Sequence, residues 1–122
     1  MKVYATKSFL RFKRKEALAN AALVSAVERA EAGLLDADLG GGLIKQRVAR
    51  KGGGRSAGYR TIIAYRAGTR AVFLYGFAKN ERDNIDDDEL RRWRVVGQAV
   101  LASDSSAIEA ALKAGELTEL KG

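Results

Sequence analysis

The sequence predicts an α+β domain with a small antiparallel sheet of three to four strands, N-terminal helices packed on one face and a C-terminal helix. Apolar residues recur at helical spacing near the N-terminus, and the same spacing returns after residue 86. Between these regions lie segments rich in β-branched and aromatic residues, which favour strands. With 122 residues, 47% of them apolar, the chain suits one domain spanning residues 1–122.

The first third of the chain is predicted to form a short strand followed by helix. Lys2–Thr6 suits the strand. Apolar positions at helical spacing then predict helix over residues 8–33, with a possible break around Lys15. Gly33 is a plausible end for this region, because glycine commonly follows the last turn of a helix.

The middle of the chain is predicted to be a three-stranded antiparallel meander. Residues 43–50, LIKQRVAR, alternate in polarity, so Ile44 and Val48 would face one side and Lys45 and Arg47 the other. GYRTIIAYRAG and RAVFLYGFAK follow, and the link AGT predicts that they form a hairpin. The glycine-rich stretch KGGGRSAG would be a long, loose loop between the first two strands.

The last third is predicted to be helical. The acidic residues from Asp86 to Glu89 suit the positive end of a helix dipole, and we interpret them as a helix start. A metal site is the weaker interpretation, because ligation needs acids converging from separate elements. The sequence SAIE at 106–109 resembles a capping box, so residues 102–122 are expected to form a helical extension.

Positive charge is concentrated in the middle of the chain. The formal net charge is +7, but residues 45–82 alone carry ten cations against one acid, which favours a polyanionic partner. Cysteine and histidine are absent, so disulfides, thiolate metal sites and histidine acid/base chemistry are excluded. No apolar run is long enough to span a bilayer, and we expect a cytoplasmic protein without a membrane partner.

Several of these cations are expected to converge on one face of the sheet. They are Lys45, Arg47, Arg60 and Lys79. Ordinary structural roles compete with this hypothesis: Lys45 could be a solvated strand lysine, and Lys79 part of a polar exit turn. Arg60 begins the second strand of the meander in this interpretation, and it could instead form a structural salt bridge with Glu81 or Asp83.

Other charged and aromatic residues suit structural roles better. Arg66 and Arg70 flank the AGT link and are expected to be solvated at a hairpin tip. Tyr65 and Tyr75 could stack on bases, but core or cross-strand packing is the simpler expectation.

The segments IKQRVAR, GYRTII and FLYGFAKNERDNIDDDEL, in this order and spacing, resemble the RelE/HigB group of bacterial toxins from toxin–antitoxin systems, particularly its HigB-like branch. The resemblance covers about residues 38–101. It implies a microbial-RNase-like fold that cleaves messenger RNA, usually in the ribosomal A site, by attack of a ribose 2′-hydroxyl on the adjacent phosphate. It implies no metal and no cofactor. It also implies a cognate antitoxin, typically encoded beside the toxin and in some systems a helix-turn-helix protein.

Carried over position by position, the resemblance assigns catalysis to four cations: Arg60, Lys79, Arg47 and Lys45. RNA contacts are expected from the surrounding residues Arg50, Lys51, Arg55, Tyr59, Asn80 and Arg82. Two departures leave the general acid and base unassigned. The RelE branch carries arginine where this chain has Asn80, and tyrosine near the position of Asp86.

Two other functions remain open from the sequence. A ParE-like inhibitor of DNA gyrase would use the same fold without catalytic cations. A non-catalytic RNA-binding protein would use the basic sheet alone.

Overall fold

The computed structural model describes residues 1–50, 54–79 and 85–122, with the backbone alone at residues 50 and 54–57. In these ranges the strands are β1 (Lys2–Thr6), β2 (Ala37–Gly40), β3 (Leu43–Arg50), β4 (Gly54–Arg66), β5 (Arg70–Ala78) and β6 (Leu117–Glu119). The helices are α1 (Lys7–Lys15), α2 (Asn20–Glu31), α3 (Asp87–Ala102) and α4 (Ser105–Lys113).

All six strands form one sheet in the order β2-β3-β4-β5-β1-β6. The α+β class and the central antiparallel meander β3-β4-β5 are confirmed. The expected strand count and purely antiparallel pairing are wrong, because β1 pairs in parallel with β5 and two short strands add to the edges. The edge strands β2 and β6 have only four and three residues, which is too short for an alternation pattern to reveal them.

The predicted break in the N-terminal helical region is confirmed. The α1 helix ends at Lys15, and Ala17 has a positive φ of 53° in the connection to α2. At the start of α1, the Thr6 hydroxyl accepts a hydrogen bond from the Phe9 amide, as a helix N-cap does. The α2 helix ends at Glu31, and Gly33 follows with a φ of +83°.

Helices cover both faces of the sheet, rather than one. On the first face, α1 and α2 pack over residues such as Ile44 and Phe73. On the second, here called the α3 face, α3 and α4 pack over Leu43 and Leu74. Gly97 lets α3 approach closely, because a Cβ there would lie 2.6 Å from Leu43 Cδ2. The expected open cationic face is therefore partly covered by α3.

The glycine-rich stretch is mostly strand. The β4 strand begins at Gly54 and pairs with Arg50, with a register irregularity after Val48, so the predicted long loop is wrong except at residues 51–53, which lie outside the described residues. Backbone pairing needs no side chain, which is why glycines can continue a strand here. The hairpin between β4 and β5 is confirmed, with Arg66 paired to Arg70 across it.

The acidic segment starts a helix as predicted. The Asp86 carboxylate accepts a 2.8 Å hydrogen bond from the Glu89 amide at the start of α3. The α4 helix is capped by Asp104, whose carboxylate accepts from the Ala107 amide, so the capping box predicted at residue 106 is wrong by two positions. The C-terminal extension is not wholly helical, because its last part forms β6 beside β1.

Arg70 is not a solvated tip residue. Its Nη1 donates 2.8 Å hydrogen bonds to the carbonyl oxygens of Val100 and Ser103, at the C-terminal end of α3. The last carbonyls of a helix lack partners within the helix and attract positive charge, so this guanidinium acts as a C-terminal cap supplied by the sheet.

We therefore expect Arg70→Ala to lower the free energy of unfolding by about 2 kcal/mol, since hydrogen bonds to a charged group contribute about 1.5–3 kcal/mol. Arg66→Ala is the matched control, because Arg66 lies opposite Arg70 in the hairpin and is exposed. Surface changes of that kind stay within about 0.5 kcal/mol. Urea titrations of both variants measure the difference, and equal midpoints would contradict the capping role.

Candidate active site

The register of β3 and β4 brings two arginines together. Arg47 lies directly opposite Arg60, and Lys45 lies opposite Ile62 one step further along the same face. Side chains of directly opposite residues project to the same side of a sheet, so Lys45, Arg47 and Arg60 all lie on the α3 face. Like charges directly opposite are destabilising, so this arrangement costs stability.

Arg60 is the most deeply buried of these cations. Only 8% of the residue is exposed, and its Nη1 atom is buried with no hydrogen-bond partner among the residues that the structure describes. It lies within β4 rather than at its start, so the expected position at the beginning of a strand is wrong. Leaving a buried donor unpaired costs about 1–3 kcal/mol, and more when the group is charged. No acceptor among the described residues offsets this cost. The proposed partners Glu81 and Asp83 lie outside the described residues.

The backbone amide and carbonyl of Arg47 both form hydrogen bonds with side chains, which hold the residue in place. Its amide donates a 2.6 Å hydrogen bond to Asp36 Oδ2, and its Nε lies 3.9 Å from Asp36 Oδ1. Its carbonyl oxygen accepts a short hydrogen bond from the Arg29 guanidinium. The Arg47 side chain stays 48% exposed, so it is positioned but remains open to a ligand.

The carboxylate that contacts Arg47 is itself fixed by a buried glutamine. Gln46 is fully buried, and its Oε1 accepts a 2.8 Å hydrogen bond from the Asp36 amide. Its Nε2 donates to the carbonyl oxygens of Ala26 and Leu34. Gln46 thus ties α2 and the segment before β2 to β3, directly beside Arg47. No sequence pattern singles out Asp36 or Gln46, because isolated polar residues in a loop and a strand give no periodic signal.

The two lysines lie on either side of the arginine pair. Lys45 is partly buried and pairs with Ala37 of β2 as well as with Ile62. Lys79 is exposed just after β5, where its amide donates a 3.4 Å hydrogen bond to the Gly58 carbonyl. It follows Phe77 by two residues, and Phe77 lies opposite Arg60, so Lys79 comes at the same end of the sheet.

The residues expected to contact RNA divide into three groups. Arg50 pairs with Gly54, the residue before Arg55, so the backbone places Arg50 and Arg55 at the same end of the sheet as Arg47 and Arg60. Lys51, Asn80 and Arg82 lie outside the described residues. Tyr59 does not join the cations, because it is 4% exposed in the core of the opposite face, edge-on to Phe12 with ring centroids 5.6 Å apart.

An aromatic strip formed by Phe77, Tyr75 and Trp93 borders the site. Phe77 lies opposite Arg60, and its ring centroid is 6.0 Å from that of Tyr75. Tyr75 in turn stacks on Trp93 of α3, at 5.6 Å and an interplanar angle of 26°. This confirms the packing role expected for Tyr75. The position of Trp93 depends on how α3 crosses the sheet, which helical spacing alone does not give.

The tyrosine with a displaced pKa lies away from this site. Burial, and then the nearby Glu31 carboxylate, raise the pKa of Tyr65 above its ordinary value. Tyr65 packs against the core of the opposite face, where α1 and α2 lie. Its phenol therefore stays protonated at neutral pH and has no direct contact with the cations.

The arrangement suits binding of a phosphate group. Two guanidiniums from neighbouring strands can donate several charge-assisted hydrogen bonds to one phosphate, and arginine keeps its charge at any physiological pH. No cluster of three or more acidic residues that could hold a metal ion occurs within the described ranges. No helix in those ranges is long and apolar enough to cross a membrane.

The structure is thus that of a small α+β protein with two arginines directly opposite each other on its sheet. The family model of the RelE toxin of the RelE/RelB toxin–antitoxin system matches residues 1–120, and the chain belongs to this family. RelE toxins generally inhibit translation as endoribonucleases, and each has a cognate antitoxin. No individual curated protein matches the chain significantly.

Proposed function

We propose that this toxin cleaves messenger RNA on the ribosome, with Arg60 binding the scissile phosphate. The observation that carries the proposal is the buried Nη1 of Arg60, which has no partner within residues 1–50, 54–79 and 85–122. Arg60 itself lies opposite Arg47 in the sheet. A protein that only needed a stable sheet would gain by replacing this residue with an apolar one. A phosphate between the two arginines would satisfy the unpaired donor and relieve the repulsion between the two charges.

The proposed reaction is transfer of the phosphate within the RNA. The ribose 2′-oxygen attacks the adjacent phosphorus, the bond from phosphorus to the 5′-oxygen breaks, and a 2′,3′-cyclic phosphate and a 5′-hydroxyl result. The proton of the 2′-hydroxyl must leave, and the 5′-oxygen must gain one. Arg60 and Arg47 stabilise the negative charge that grows on the phosphorane oxygens.

Proton transfer falls to groups other than histidine, since the chain has none. Lys45 and Lys79 flank the arginines and are the candidate proton carriers on this chain. Groups of the ribosome or of the bound RNA complete the site in this proposal, which is why cleavage is expected on translating messages. The cognate antitoxin, proposed to be encoded beside the toxin, would block the same face.

Primer extension on messenger RNA from cells that express the chain tests this function. We expect new 5′ ends within the translated region, aligned with codons, and none in untranslated leaders. A catalytically disabled variant, Arg60→Ala, is the control. Intact messages together with gyrase-linked DNA breaks would contradict the proposal and favour a ParE-like inhibitor. Intact messages without such breaks would also contradict it and favour RNA binding alone.

A further inference from the structure

A cleft lies between the beginning of α1 and the flank of α3. It has a volume of about 420 Å³, and its lining includes Lys7 and Arg11 of α1, Trp93 and Val96 of α3, and Glu116. Trp93 also borders a smaller cleft on α3 with Arg92. The cleft therefore combines an aromatic ring with cations, and it lies outside the cation pair already described.

We propose that this cleft binds one nucleotide of the RNA substrate, with Trp93 stacking on the base and Lys7 and Arg11 binding the neighbouring phosphates. The proposal rests on the RNA-cleaving function proposed above. It assigns a substrate-binding subsite to residues that are not expected to take part in the chemistry.

A row of aromatic rings on the α3 face links the cleft to the arginine pair. Phe77 lies opposite Arg60, Tyr75 follows two residues earlier on β5, and Trp93 stacks on Tyr75. The rings are separated by steps of 6.0 and 5.6 Å along a single face of the sheet. Phe77 is only 3% exposed, so the strip fixes the position of Trp93 relative to Arg60, and RNA bound at Arg60 would reach Trp93 over the same face of the sheet. Aromatic side chains beside a cationic surface are the usual platform for unpaired bases.

The charges of the cleft favour a nucleic acid over an acidic peptide. Lys7 and Arg11 are exposed and one helical turn apart, so they lie on the same side of α1. Neither forms an ion pair within residues 1–50, 54–79 and 85–122. Glu116 opposes them with a single negative charge. An acidic peptide would match the two cations but would leave the flat indole without a matching group, whereas a nucleotide supplies both a base and phosphates.

Intrinsic fluorescence gives a direct test, because Trp93 is the single tryptophan of the chain. The probe is a short single-stranded RNA with 2′-O-methyl riboses, which lacks the attacking hydroxyl and cannot be cleaved. We expect saturable quenching of Trp93 fluorescence as this RNA is added to the full-length protein. Trp93→Ala should weaken binding about tenfold or more, measured by anisotropy of a labelled probe, since stacking on one base is worth that much.

The double variant Lys7→Ala/Arg11→Ala tests the phosphate contacts without touching the aromatic strip. The slope of log affinity against log salt should fall in magnitude by about 1.4, for two contacts to a single strand. Arg66→Ala/Lys113→Ala is the matched control, because both residues are exposed and removing them changes the net charge equally. Trp93→Phe retains a stacking ring and should recover most of the affinity lost in Trp93→Ala, which separates stacking from a folding defect.

Three results would overturn the proposal: RNA binding by anisotropy without any change in Trp93 fluorescence, an unchanged salt slope in the Lys7/Arg11 variant, or quenching by the antitoxin but not by RNA. The last would make the cleft a protein interface. These failures differ from failure of the proposed function. Normal cleavage of messages without quenching would contradict only the proposed role of the cleft. Quenching without any cleavage would contradict only the proposed RNase activity.

Discussion

Arg60→Ala is expected to lower the rate of messenger RNA cleavage about a hundredfold to a thousandfold and to abolish growth arrest. Removing one donor that stabilises charge in the transition state costs about 3–4 kcal/mol, whereas a peripheral phosphate contact costs much less. Arg60 is placed for the larger role, because it is 8% exposed, lies opposite a second arginine and has an Nη1 atom that no described residue pairs with. Arg60→Lys keeps the charge but loses the planar fork, so it should recover only part of the rate.

Replacing Arg60 by an apolar residue is expected to lower activity without lowering stability. Arg60→Met replaces a buried, unpaired charge by an apolar side chain of similar length, and we expect the free energy of unfolding to stay equal or to rise by about 1 kcal/mol. Arg60→Ala leaves a cavity and is the less informative variant for melting. A residue retained at the expense of stability is the pattern found at functional sites.

Cleavage assays and thermal melts on the same protein preparations separate the two roles of Arg60. A folded Arg60→Met variant that cuts messages at the wild-type rate would remove Arg60 from the site. An Arg60→Met variant that melts well below the wild type would show that Arg60 has a structural partner, such as the salt bridge to Glu81 considered from the sequence. Arg66→Ala, a change at an exposed arginine of the same strand, should alter neither measurement.

Much of the fold was predictable because long elements carry periodic signals. The strands β3, β4 and β5 and the helices α1, α2 and α3 each have eight or more residues, enough for alternation or helical spacing to appear. The short edge strands β2 and β6 have no such pattern, and their pairing is set by tertiary contacts. The role of Arg70 was missed for the same reason, since the end of α3 that it caps is about thirty residues away in sequence.

The candidate site was predictable in part. Alternation along β3 placed Lys45 and Arg47 on one side, and the meander made Arg60 their neighbour, as the observed register confirms. The burial of Arg60 could not be predicted, because it depends on how α3 and the aromatic strip cover that face. Tyr59 was expected to contact RNA, because an aromatic residue next to an arginine suggests base stacking. Strand alternation instead places its ring on the opposite face of the sheet, in the core.

Gln46→Ala is expected to be the most destabilising single change of a polar residue near the site. The side chain is fully buried and makes three hydrogen bonds, to the Ala26 and Leu34 carbonyls and from the Asp36 amide. Its removal leaves three backbone groups unpaired and opens a cavity, so the free energy of unfolding should fall by about 3–4 kcal/mol. For a domain of this size, the melting temperature should fall by about 10 °C or more.

Gln46→Ala should also lower the rate of cleavage, because Gln46 indirectly holds Arg47 in position. The segment that carries Asp36 would no longer be fixed, and Asp36 is the residue that holds both the amide and the guanidinium of Arg47. We expect cleavage to fall about tenfold even well below the melting temperature, because small displacements of phosphate-binding groups are costly. Gln98→Ala, at an exposed glutamine of α3, is the matched control and should change neither the melting temperature nor the rate. A Gln46→Ala protein could instead melt at a lower temperature but cleave at the full rate. That result would show that Arg47 keeps its position without Asp36, and the proposed effect of Gln46 on cleavage would be wrong.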